Sequence, residues 1–180
     1  MFRALAALAV ASASTSAPPA TTLTSSAPWW ERVTVTVSDD GNTRSCRYES
    51  SLKPRNATDC SVVSSGASTA KSAASSGAKD QYTRITFERR FSPGAKPNMD
   101  ALQPGETLLG GQMLALAIDP RGAVKGCKVV QRSGSLPPQY GCDEAAAEHF
   151  EASATNIHTA APTREGYMTV IVYGHSEHVV

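Results

Sequence analysis

His175 and His178 stand three residues apart near the end of the chain, the closest approach of two imidazoles in the sequence. In an extended strand such positions face opposite ways, so the pair could share a metal ion only if the chain turned at Gly174. Asp143 and Glu144 are adjacent carboxylates, yet neighbours at a helix start do not face one another as a general acid and base must. Capping accounts for both. Serines are abundant, but no G-x-S-x-G elbow surrounds any of them, so nucleophilic catalysis has no anchor. Gly110-Gly111 lacks the context of a phosphate loop and is expected to supply a bulge or bend. His149 falls on the surface of a predicted helix and His158 in a Thr/Ala/Pro loop. No catalytic residue, metal site or cofactor is assigned.

The elements that would hold these residues begin after an export signal. Met1-Phe2-Arg3 gives one positive charge, Ala4 to Val10 an apolar run, and Ala11-Ser12-Ala13 a small-residue cleavage site after Ala13. The run is too short to span a bilayer, and no later segment reaches the roughly 20 apolar residues a spanning helix needs. A soluble periplasmic protein is expected, with no stable membrane insertion once the signal is gone. Loss of residues 1–13 leaves 16 basic against 16 acidic residues, a balance that gives nucleic acid no electrostatic hold. Four cysteines follow the signal, and in an oxidising compartment paired disulfides are the expectation. Three connectivities are possible. The spacing favours a local pair in each half, Cys46 with Cys60 and Cys127 with Cys142. A four-thiolate zinc site would need a C-x-x-C spacing that is absent.

The two halves also echo one another. Val33-Thr34-Val35-Thr36-Val37 and Leu114-Ala115-Leu116-Ala117-Ile118 both have strand character, and each is followed by an Asp and a turn Gly, Gly41 or Gly122. The step from that Gly to the next Cys is identical, Gly41 to Cys46 and Gly122 to Cys127. Second strands (residues 47–49 and 128–130), a Pro (Pro54 and Pro137), the second Cys and a closing strand (residues 82–87 and 167–172) complete each copy. The connector of the second copy reads as a helix. Asp143 can cap it, Glu144 suits its first turn, Ala145 to Ala147 propagate it, and Ala146 with Phe150 would cover the sheet. The Ser/Gly-rich interval 61–77 weakens helix in the first copy. The divisions read from the sequence are a signal (1–13), a flexible leader (14–28), a first unit (29–90), a Pro/Gly-rich linker (91–107) and a second unit (108–180). Trp29 and Trp30, ending the leader, are expected to cap a core edge. Asn56-Ala57-Thr58 is an N-glycosylation sequon relevant only to a eukaryotic host.

Residues 112–180, with the strand 114–118, the turn to Gly122, the strand 124–130, Ser133-Gly134, the helix opening at Cys142-Asp143-Glu144-Ala145-Ala146 and the strand 167–173, resemble the periplasmic C-terminal domain of TonB-type energy transducers. The resemblance implies an α+β fold: two tandem units, each a hairpin, a connector and a third strand, forming antiparallel sheet with a helix on one face. Duplicated modules of this kind can also join edge to edge into one sheet. It further implies that Tyr167, Met168, Thr169, Val170, Ile171, Val172 and Tyr173 form an edge strand that takes an extended segment of an envelope or outer-membrane protein by strand addition. This chain differs from the family in having no membrane anchor, no long Pro-rich spacer, and two cysteine pairs.

The leading expectation is thus a periplasmic binding or scaffold protein that acts by contact and not by chemistry; a homodimer is compatible with it. Two other classes stand beside it. One is a secreted hydrolase or inhibitor working through loops 133–141 and 156–164, and the other a metal-handling protein using His175 and His178.

Overall fold

Runs such as 33–37 and 167–173 are rich in β-branched and aromatic side chains, which pack well on a pleated surface and lose χ1 freedom in a helix. The computed structural model describes residues 22–37, 43–52, 57–59, 84–99, 101–153 and 162–175. In chain order these form β1 (Trp29–Val37), β2 (Thr43–Ser50), β3 (Ala57–Asp59), β4 (Arg84–Pro93), β5 (Glu106–Ile118), β6 (Val124–Gly134), a short helix α1 (Cys142–Ala147) and β7 (Arg164–His175). All seven strands join one antiparallel sheet in the order β3-β2-β1-β4-β7-β5-β6.

The expected α+β architecture, two units each with a helix on one face, is therefore corrected to a nearly all-β fold. The closing strands of the two halves, β4 and β7, pair with each other from Arg84↔His175 to Pro93↔Gly166 and fuse the halves into a single sheet. Outward from that seam both halves run in the same order: closing strand, first hairpin strand, second hairpin strand. Among the described residues the helix is only the six residues of α1. It stops because Glu148 adopts extended backbone (φ −71°, ψ 150°). His149 and Phe150 then make bridges to Ala123 and Leu23. A helix this short has little stability of its own, and packing decides its length. The buried alanine is Ala145, whereas Ala146, expected to face the sheet beside Phe150, is exposed. The helix expected to fray in the first half, at 61–77, lies outside the described residues.

One face of the sheet carries two apolar clusters. Phe91, Leu114, Leu116, Ile118, Met168 and Val170 lie under Leu23, Trp29, Ala145 and Phe150, and farther along Val35, Val37, Cys46, Ile85 and Val172 form a second cluster. Leu23 belongs to the stretch read as a leader, but it is buried, and its N–H and C=O bond to His149 and Glu151. Trp29 does cap the core, stacked on Phe91 at 5.8 Å with its indole N–H donating to the Thr24 carbonyl at 2.9 Å. The opposite face is divided. Over β5 and β7, Met113, Ile171 and Tyr173 are covered by Met99 and Leu102 of the β4–β5 connector. Over β1, β2 and β4 it is polar.

The expected Cys127–Cys142 disulfide is present, with Cα atoms 5.5 Å apart, and it fastens α1 to β6. Cys46 is also disulfide-bonded. Its expected pairing with Cys60 lies outside the described residues, as Cys60 does. No helix among the described residues is long and apolar enough to cross a membrane.

Candidate functional site

Tyr167 to Tyr173, expected at a sheet edge, lie instead in the interior strand β7. Its register runs along β4 on one side and along β5 on the other, from Glu106↔His175 to Ile118↔Arg164. Both rows of backbone groups face neighbouring strands, so no partner strand can be added there. The reason is visible in the side chains. Met168 to Tyr173 are buried, on the apolar face and under the connector alike. Burial on both faces is the property of a central strand.

Among the described residues the outer strands of the sheet are β3 and β6. β3 has three residues, β6 eleven. None of the β6 residues is buried, and it carries Lys125, Lys128 and Arg132 with no carboxylate. Val130, on this strand, is a large hydrophobic side chain left exposed. Register shifts opposite Met113/Leu114 and Ala117/Ile118 add twist to this edge.

The turn before β6 fixes where that edge begins. Asp119 Oδ1 accepts from the backbone N–H groups of Arg121 and Ala123, both at 2.9 Å. These bonds, Ala123's above all, hold its carboxyl below the usual range. Gly122 has φ +92°, and a Cβ there would sit 1.9 Å from the Phe150 carbonyl oxygen. Only glycine suits that position. At the far end, Gly110 lies so close to the Leu136 carbonyl that a Cβ would fall 1.7 Å from it, and the expected bulge occurs between Leu108 and Gly110.

On the apolar side a charged cluster joins β1 and β4 to the segment leaving α1. Arg89 pairs with Glu31 and Glu148, and its guanidinium lies 5.2 Å from the ring centres of both Trp29 and Tyr140. Tyr48 donates to Glu31 at 2.7 Å and Tyr140 to Glu148 at 3.2 Å. Burial disfavours the Arg89 charge, but the bond to Glu31 and the charge of Glu148 outweigh it, and its pKa is raised. Burial raises the pKa of Tyr140 as well.

The polar side holds a cleft of about 400 Å³ between β2, β1, β4 and the ends of β5 and β7. Arg32, Arg47, Arg84 and His175 line it with Glu49, Glu106, Thr34, Thr86 and Tyr173. Thr34 and Thr86 face one another across β1 and β4, their hydroxyls 3.2 Å apart. Beside them Tyr173 donates to buried Glu88 at 2.8 Å, and Glu88 also pairs with Arg90.

The remaining sequence candidates take structural places. Glu144 Oε2 accepts the Gly141 N–H at 2.7 Å, so Glu144 caps α1 from within while Gly141, and not Asp143, is the N-cap residue. His149 is exposed just after the helix. His175 lines the polar cleft, and His158 and His178 lie outside the described residues. Among the described residues no group of three His, Cys, Asp or Glu side chains is placed to hold a metal ion. In the loop 133–141, Leu136 and Tyr140 pack onto the sheet; most of loop 156–164 lies outside the described residues. The sequence reading did not single out β6 or the polar cleft. For β6 the signal was present as three cations without an acid over eleven residues.

No protein-family model matches the chain, and neither curated proteins nor solved structures give a match.

Proposed function

We propose that this is an exported, non-catalytic binding module of the cell envelope that captures an acidic, extended segment of a partner protein along β6. The observation that carries the reading is the character of that edge: eleven residues, none buried, three cations and no anion. An outer strand presents unpaired backbone donors and acceptors that an incoming strand can satisfy. Its charge then discriminates. A second copy of β6 laid alongside would bring cation against cation, whereas a strand bearing Glu or Asp would be drawn in. Export rests on the leader sequence, and strand addition as a mode on the resemblance of residues 112–180 to energy-transducer C-terminal domains. Moving the docking edge from β7 to β6 keeps the mode and changes the address.

Fluorescence anisotropy with labelled ten-residue peptides of alternating Val and Glu, and of alternating Val and Lys, tests the reading. Saturable binding of the Glu peptide, weakened by added salt and by K128E/R132E, is expected. No binding, equal binding of the Lys peptide, or indifference to the charge reversal would overturn it.

A further inference from the structure

The polar cleft lies over β1, β2 and β4 and the ends of β5 and β7, and its lining residues come from these strands and not from β6. Two of its guanidinium groups share a single carboxylate. Arg32 donates from Nε to Glu49 Oε2 at 2.7 Å, and Arg47 Nε lies 3.4 Å from Oε1 of the same carboxylate. One anion thus faces two guanidinium groups, each of which has five N–H donors, more than one carboxylate can engage. Arg84 adds a third guanidinium to the lining and Glu106 the second carboxylate.

The arginines sit at a floor that is polar and fixed. Thr34 and Thr86 supply paired hydroxyls on adjacent strands, and Thr86 is 7 % exposed. Glu88 is engaged by Tyr173 and Arg90 beside it, which ties its charge to partners of its own. The wall is anchored too, since Arg32 lies over the Trp30 ring at 4.6 Å. Planar guanidinium groups held on neighbouring strands above hydroxyl donors are the arrangement that recognises carboxylate and phosphate oxygens. At about 400 Å³ the cleft has room for a small metabolite.

We infer that the cleft of β1, β2 and β4 binds a small oxyanion-bearing molecule, a phosphate or a carboxylate, gripped by Arg32 and Arg47 with Thr34 and Thr86 beneath. Glu49 then serves as the resident counter-ion that sets the two guanidinium groups side by side. Calorimetric titration of the whole chain with inorganic phosphate and, separately, with citrate tests this at constant ionic strength, with sodium chloride as the control. Saturable binding of either anion is expected, weakened about tenfold or more by R47Q, because a charge-assisted hydrogen bond is lost. The side chain of Arg47 is 63 % exposed, so the variant should fold. R32Q is the second arm, and K128E/R132E should bind as the unaltered chain does. Preference for phosphate assigns a phosphorylated ligand, preference for citrate a carboxylic acid, and equal binding an unselective oxyanion site. A response matched by chloride, no saturable binding, or undiminished binding by both R47Q and R32Q would overturn the inference.

Discussion

Replacing Arg89 by Met preserves most of the apolar stem and removes the charge that holds three segments together. The side chains of Arg89, Glu31 and Glu148 are 21 %, 19 % and 22 % exposed, so all three are largely withdrawn from water. Removing one partner of a buried ion pair costs about 3–5 kcal/mol, since the other is left uncompensated. Here two carboxylates lose their cation, but each keeps a phenol, Tyr48 on Glu31 and Tyr140 on Glu148. That residual solvation puts the expected loss at the lower end, about 3 kcal/mol. Glu148→Gln leaves Arg89 paired with Glu31 and should cost about 1 kcal/mol. The double variant should lose less than the two single losses added, because the Arg89–Glu148 contact can be removed only once. Urea unfolding at pH 7, followed by the fluorescence of Trp29 and Trp30, measures all three at unchanged m value. A loss below about 1 kcal/mol for R89M, the size of an exposed pair, would refute the claim that this cluster ties the sheet to the segment leaving α1.

Gly122→Ala should destabilise by more than about 2 kcal/mol in the same assay, because φ +92° and the Phe150 carbonyl both oppose a side chain there. The C127S/C142S double variant should lose about 3 kcal/mol for a cross-link spanning 15 residues, and hydrogen exchange should show the loss concentrated at α1 and β6. Stability should also fall as pH rises through about 10, the ordinary tyrosine range. Tyr48, Tyr140 and Tyr173 have folded pKa values raised by burial, Tyr48 and Tyr173 also by bonds to Glu31 and Glu88. Their contribution is therefore complete below the unfolded value and lost above it, as the unfolded chain gives up protons that the folded chain retains. Absorbance at the phenolate band should show Tyr48, Tyr140 and Tyr173 ionising late.

The strands were the legible part of the sequence. Residues 33–37, 114–118 and 167–172 fall within β1, β5 and β7, and the strands on either side of Gly41 and of Gly122 do pair. The disulfide between Cys127 and Cys142 was readable from spacing alone. The helix was legible where it lies, Cys142 to Ala147, but not where it stops, because alanine propensity in residues 145–147 says nothing of the bridges that His149 and Phe150 make instead. The place of β7 was misread for a different reason. Analogy put it at an edge, while its own run from Met168 to Tyr173 had the nearly continuous hydrophobicity of a strand covered on both faces. The polar cleft was out of reach, since Arg32, Arg47 and Arg84 come together only through the register of three strands. Leu23 was hidden by its neighbours, a single apolar residue in a Ser/Thr/Ala/Pro stretch.

The seam between β4 and β7 spans ten register pairs, and among the described residues the connector that separates β4 from β5 contributes no strand to the sheet. A chain severed within that connector would yield one piece ending in β4 and another carrying β5 to β7, with their whole shared border intact for reassembly in trans. Two uncut chains could trade halves across the same border, each completing the other's sheet, which makes domain exchange the route to a dimer that this topology favours.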